Sequence, residues 1–195
     1  MKIAVPNNAF SKNSTLISEL RSKFSEVIIN EEGKRLAGNK LISFIDGADG
    51  VIVGLEDFNS KIIDACPSIK IVAKYGVGLN NIDIEHCKKR GVKIGWEAGV
   101  NKLSVAEMSI GFMLMLSRNL YITSNHLKHH VWNKSGGSNL SGKTIGIIGV
   151  GHIGKELIRL LEPFSCRILV NDIVDQSSYY SSVGAQSVSK DQIYR

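Results

Sequence analysis

Three glycines spaced Gly149-x-Gly151-x-x-Gly154 stand directly behind the apolar run Thr144–Ile148 and ahead of an amphipathic stretch that opens at His152. A strand running into such a turn and then into a helix builds an anion cradle. The first glycine permits the tight turn, the second lets the backbone approach a diphosphate, and the third lets the helix pack closely on the strand. The amides of Gly151, His152 and Ile153 then open the helix and point at the phosphates. Taken alone, three glycines also fit a purely structural turn. The residues downstream weigh against that reading. A second apolar run, from Cys166, ends in the carboxylate of Asp172, 18 positions after Gly154. That is about where an adenosine ribose 2′-hydroxyl needs an acceptor. No Lys or Arg occurs between Asp172 and Lys190, so nothing nearby invites a 2′-phosphate and the pattern points to NAD rather than NADP. A turn-capping Asp is the competing reading for Asp172, with Asp175 as the alternative carboxylate.

Other reactive side chains are less well framed. His126, His129 and His130 fall at i, i+3 and i+4, a spacing that can put imidazoles on one helical face for a metal. No Cys or carboxylate accompanies them, so a solvated helix end is the favoured reading and no metal is assigned. Cys66, Cys87 and Cys166 are widely spaced, odd in number and outside any Cys-x-x-Cys pair, which reads as free thiols in a reducing cytoplasm. Glu107, inside an apolar helix, is expected to pair locally, because an unpaired buried carboxylate is costly. Asp83 is expected to cap the helix after it, and Trp96 and Trp132 to pack.

The elements that must carry these residues alternate. Strand patterns at Lys2–Val5, Glu26–Ile29, Gly50–Gly54, Ile69–Ala73 and Val92–Gly95 are separated by helical patterns at 14–24, 40–45, 58–65 and 84–89. This alternation predicts a parallel sheet covered on both faces. A long helix is expected from Lys102 to Lys128, apolar enough in its first half to be buried on several sides. A polar loop comes next, and the dinucleotide-type strand begins after Gly142-Lys143. The chain has 195 residues and a net charge of +6. Its longest basic run, Lys88-Lys89-Arg90, closes a helix, where cations complement the dipole. No aromatic-interleaved basic patch marks a nucleic-acid site. The most apolar run, Val105 to Leu116, is broken by Glu107, Ser109 and Gly111, too short and too polar for a membrane span.

Three blocks together resemble the D-isomer-specific 2-hydroxyacid dehydrogenases, closest in character to their D-3-phosphoglycerate dehydrogenase members. Lys74-Tyr-Gly76-Val77-Gly78-Leu-Asn80-Asn81-Ile82-Asp83 is similar to the substrate loop, Val100-Asn101-Lys-Leu-Ser104-Val-Ala106-Glu107 to the start of the interdomain helix, and Leu140 to Gly154 to the cofactor turn. The resemblance implies an α/β chain with a flavodoxin-like lid or substrate domain over 1–100 and the first part of a Rossmann NAD-binding domain over 101–195. The active site would lie in the cleft between them.

By this resemblance Gly76, Val77 and Gly78 hold the carboxylate of a small anionic 2-hydroxy or 2-keto acid through their amides, with Lys74 and Asn80 beside them. Val77, Gly149, Gly151, His152, Ile153, Gly154 and Asp172 contact NAD. Lys74 stands where Arg is frequent, Asn80 where Asp is, and His152 where Arg is; Glu97-Ala98 replace the usual Thr-Pro. The family's catalytic Arg, Glu and His would lie beyond Arg195, so the chain is expected to be an incomplete dehydrogenase with weak or absent turnover. A homodimer through the helix 102–128 is expected, as is an apolar edge on the strand Thr144–Gly149. A non-catalytic NAD-binding or interaction module is the alternative.

Overall fold

The computed structural model describes residues 1–195. The backbone falls into two compact units, Met1–Ala98 and Gly99–Arg195.

In the first unit the strands are β1 (Lys2–Val5), β2 (Glu26–Ile29), β3 (Gly50–Val53), β4 (Ile71–Lys74) and β5 (Lys93–Gly95). They are joined by α1 (Asn8–Ser11), α2 (Ser14–Lys23), α3 (Gly38–Ile45), α4 (Ser60–Ala65) and α5 (Ile84–Lys89). All strand pairs are parallel, in the order β2-β1-β3-β4-β5, the doubly wound order of flavodoxin-like folds. The near-continuous apolar runs of β1 and β3 are buried, and Leu41, Ile45, Phe58, Ile62 and Ile63 pack over them. Side chains of Asn7, Asn13, Asn59 and Asp83 cap α1, α2, α4 and α5, as expected for Asp83. Each strand runs toward the same edge. Val53 lies beside Lys74 and Ala73 beside Gly95, so the segments that leave β3, β4 and β5 emerge side by side.

The second unit begins with α6 (Lys102–Ser117) and α7 (Leu120–Lys128). A three-stranded parallel sheet comes after them, built from β6 (Thr144–Ile148), β7 (Arg167–Asn171) and β8 (Gln186–Ser187), with α8 (His152–Leu161), α9 (Ser177–Ser182) and α10 (Lys190–Ile193) between and after the strands. The order β6-β7-β8 leaves β6 paired on one side only, and Ile148 is 45% exposed.

Four expectations are corrected here. The helix expected over 102–128 is broken, because Asn119 adopts φ 50°, and the Arg118 guanidinium donates to the Gly136 carbonyl and Asn139 Oδ1, turning the chain. Nor is the first half of that helix buried on several sides. Only Ala106 is fully covered, where α6 packs on α8, while Met108, Phe112 and Leu116 face outward. Glu107 is accordingly exposed and makes no ion pair, so it has no desolvation to offset. The polar stretch 176–182 folds as α9, because Tyr180 gives it a buried anchor in the core with Val150 and Val170.

Candidate functional site

Two glycine turns sit at strand ends, one in each unit. In the first, the backbone leaves β4 through Tyr75 and reaches Gly76 at φ 134°, a conformation L side chains rarely adopt. The N–H groups of Gly76, Val77 and Gly78 have no intramolecular acceptor, and Gly76, Gly78 and Asn80 are exposed. Successive free amides of this kind form an anion-binding concavity. The turn is braced from both sides. From β5, the Trp96 indole donates through Nε1 to the Val77 carbonyl at 2.8 Å. From the β3 side, Asn81 donates to the Gly54 and Glu56 carbonyls, and its Oδ1 accepts from Lys74 Nζ at 2.6 Å. Lys74 Nζ also donates to the Gly54 carbonyl. The Gly54 N–H donates to the Glu56 carboxylate at 2.6 Å, and Glu56 is buried.

Lys74 therefore spends two of its three N–H donors inside the unit. Desolvation holds its pKa below the usual lysine range, opposed by the charge of Glu56. Its first duty is to fix the loop. The nearby Asn80 carries no charge. Glu56, Asn81 and Trp96 are the bracing residues that sequence reading missed. Asn81 was inside the recognised block; the Glu56 carboxylate bonds Gly54 only two residues away, whereas the Trp96 bond joins segments distant in sequence and leaves no local signal.

The second turn lies just past β6. Gly149 takes φ 92°. A Cβ at Gly154 would stand 2.4 Å from the Gly149 carbonyl oxygen, so α8 packs on the turn only because residue 154 has no side chain. A Cβ at Gly151 would meet nothing within 4 Å, which leaves that backbone open to a ligand. The helix α8 has no side-chain N-cap, and the N–H groups of Gly151, His152 and Ile153 have no acceptor. These are the orphan donors that bind phosphate at helix starts. The His152 ring packs against Gly99, where a Cβ would come within 2.6 Å of it, so His152 offers its amide rather than its imidazole.

Asp172 sits at the end of β7 beside this turn. Its Oδ2 accepts from the Val150 N–H at 2.5 Å and its Oδ1 from the Val174 N–H at 3.0 Å. The Val174 and then the Val150 amide hold its carboxyl below the usual carboxylate range. Gln176 Nε2 donates to the carbonyl of the same Val150 at 3.1 Å, so the Val150 peptide is held at both ends. Asp175 Oδ1 accepts from the Ser177 N–H at 3.0 Å, at the start of α9. The histidines take separate partners: His86 lies 2.9 Å from Asp64, His126 3.0 Å from Asn133, and His129 2.8 Å from the Asn125 carbonyl.

The residues present fit a dinucleotide: an open glycine, three free amides at a helix start, and a carboxylate at the neighbouring strand end. The family model described as D-isomer specific 2-hydroxyacid dehydrogenase, catalytic domain, matches residues 8–192, and the chain belongs to that family. A hydroxypyruvate reductase of Thermotoga maritima is 32% identical over 161 residues, 78% of this chain and 53% of that protein. A glyoxylate reductase of Thermococcus onnurineus is 31% identical over 189 residues, 92% of this chain and 56% of that protein. The chain thus spans about half the length of these relatives. Among solved structures, the apo D-lactate dehydrogenase of Escherichia coli superposes with a TM-score of 0.80 at 23% identity, over 100% of this chain and 62% of that one. The D-lactate dehydrogenase of Aquifex aeolicus, complexed with NAD and lactic acid, gives 0.81 at 19% identity, over 99% of this chain and 57% of that one. These likenesses show the fold.

Proposed function

We propose that this chain supplies the substrate unit (1–100) and the first part of the cofactor unit (101–195) of an NAD-dependent dehydrogenase of D-2-hydroxy acids. NAD, when bound, supplies the acceptor for hydride from the hydroxyl-bearing carbon. The observation that carries the reading is the set of three unpaired amides at Gly151, His152 and Ile153 opening α8 beside Asp172. Those amides hold the diphosphate. Asp172 keeps unused lone pairs on both oxygens and accepts from the ribose hydroxyl. The open amides of Gly76, Val77 and Gly78 bind and orient the substrate carboxylate. Proton transfer is assigned to none of the five histidines, and we place the family's Arg, Glu and His outside these residues.

Self-association is part of the reading, supported by the outward apolar stripe of Met108, Phe112 and Leu116 on α6. A reducing, cytoplasmic setting is supported by three free cysteines. Calorimetry of the chain with NAD tests the proposal. We expect saturable binding that falls about tenfold in Asp172→Ala, the loss of one charge-assisted hydrogen bond. No heat with NAD, or an unchanged affinity in the variant, overturns it.

A further inference from the structure

Gly151 is open to a ligand because it lacks a Cβ, and for the same reason its own geometry does not fix the peptide before it. A Cβ there would meet nothing within 4 Å, and glycine takes φ of either sign at little cost. The Val150–Gly151 peptide plane is therefore free to rotate about ψ of Val150 and φ of Gly151, carrying the Gly151 N–H toward a diphosphate or away from it. Gly149, on the other side of Val150, adds no stiffness of its own and takes φ 92°. An amide gains affinity for an anion when it is aimed before the anion arrives.

Two side chains from the segment after β7 meet Val150, and they act on different planes. Asp172 Oδ2 accepts from the Val150 N–H, which belongs to the Gly149–Val150 peptide. Gln176 Nε2 donates at 3.1 Å to the Val150 carbonyl, which belongs to the Val150–Gly151 peptide. All peptide bonds are trans, so in that plane the N–H points opposite to the C=O. Holding the Val150 carbonyl toward Gln176 turns the Gly151 N–H the other way, where it has no intramolecular acceptor. A bond to the carbonyl also polarises the peptide and strengthens the same N–H as a donor.

Gln176 is itself anchored. Its carbonyl accepts from the Tyr180 N–H at 3.0 Å in the first turn of α9. Tyr180 is buried in the core that contains Val150. The Gln176 side chain makes no cap bond to α9, which leaves its amide for Val150.

We propose that Gln176 is a positioning residue of the cofactor site: by holding the Val150 carbonyl it aims the Gly151 N–H at the diphosphate, while Asp172 serves the ribose. The proposal rests on the reading of the Gly151, His152 and Ile153 amides as the diphosphate site.

The test is an amide NMR titration of the full chain with ADP and with adenosine, which share adenine and ribose and differ in the diphosphate. The unaltered chain should saturate with ADP at lower concentration than with adenosine. Gln176→Met keeps the length of the side chain and loses the donor. It should narrow the margin between the two probes about fivefold, the size of one neutral hydrogen bond, through weaker ADP binding alone, and shift the Gly151 amide resonance of the free protein. Gln176→Asn is one carbon too short to reach Val150 but is a good helix cap. It should narrow the margin equally while melting no lower than the parent. A margin kept in both variants, or ADP and adenosine weakened alike, overturns the proposal while leaving the diphosphate reading intact. If the unaltered chain takes adenosine as tightly as ADP, or takes neither, the diphosphate reading itself fails and takes the proposal with it.

Discussion

The two glycine turns present the same chemistry, unpaired amides at the carboxyl end of a parallel strand, yet they are supported differently. The turn after β4 has a strand on each side and is tied to both: to β5's end through Trp96, and to the segment after β3 through the Gly54 and Glu56 carbonyls that Lys74 and Asn81 reach. The turn after β6 has a neighbour on one side, and every side-chain brace it receives comes from the segment after β7, from Asp172 and Gln176. Both turns draw on contacts distant in sequence. A turn fixed from one side depends more on its own glycines. Substitutions should separate the two.

The largest effect is expected at Gly154. Adding a methyl group 2.4 Å from the Gly149 carbonyl forces α8 off the turn. Gly154→Ala should cost about 2–3 kcal/mol, lowering the melting midpoint by roughly 8 °C or more for a unit of this size, with NAD binding lost. Gly151→Ala is the control. Its Cβ meets nothing, so the melting curve should stay within about 0.5 kcal/mol of the parent, while calorimetry shows NAD affinity falling at least about tenfold as the methyl blocks the diphosphate. Equal melting of the two variants would break the distinction between packing and approach.

Next is Asn81→Ala in the doubly braced turn. It removes the Lys74 acceptor and the donor to two buried-side carbonyls, and should cost about 2–3 kcal/mol in urea unfolding. A cost within about 0.5 kcal/mol would contradict the bracing role of Asn81.

Asp172→Asn should be milder and pH-dependent. Two amides depress the folded pKa of Asp172 below its unfolded value. Its stabilising contribution is therefore fully present above the ordinary carboxylate pKa and lost as pH falls through the folded value. The stability gap between the parent and Asp172→Asn, measured by chemical denaturation, should be constant near neutrality and close as the pH drops below about 4. A gap that widens in acid would contradict this.

The smallest change in stability is expected at Phe112→Ser on the outward face of α6, within about 0.5 kcal/mol. Sedimentation should nonetheless show weaker self-association, since the substitution removes the centre of the apolar stripe. An unchanged sedimentation profile would remove α6 as the contact.

Much of the fold was legible because its signals are local. Asn13 and Asp83 announce helices by capping them, and five strand patterns alternate with helices as five parallel strands do. The cofactor turn was legible for the same reason: Gly149, Gly151, Gly154 and Asp172 are bound by spacing along the chain. Less accessible was the break at Asn119, where a left-handed residue interrupts a continuous helical pattern and the anchor for Arg118 lies in a loop 18 residues on. Helix α9 was hidden because six polar or aromatic residues carry no helical period, and only Tyr180 seats it.

By itself the sequence determined the alternation of elements, the position of both glycine turns and the carboxylate beyond the second. Each arises from a short-range rule, a cap, a period or a missing Cβ. Only the tertiary structure decided what Lys74 and Trp96 do. Hydrogen bonds across neighbouring strands bind the lysine inward and tie the indole to the turn, and which strands become neighbours is fixed by the packed sheet, not by the order of residues along the chain.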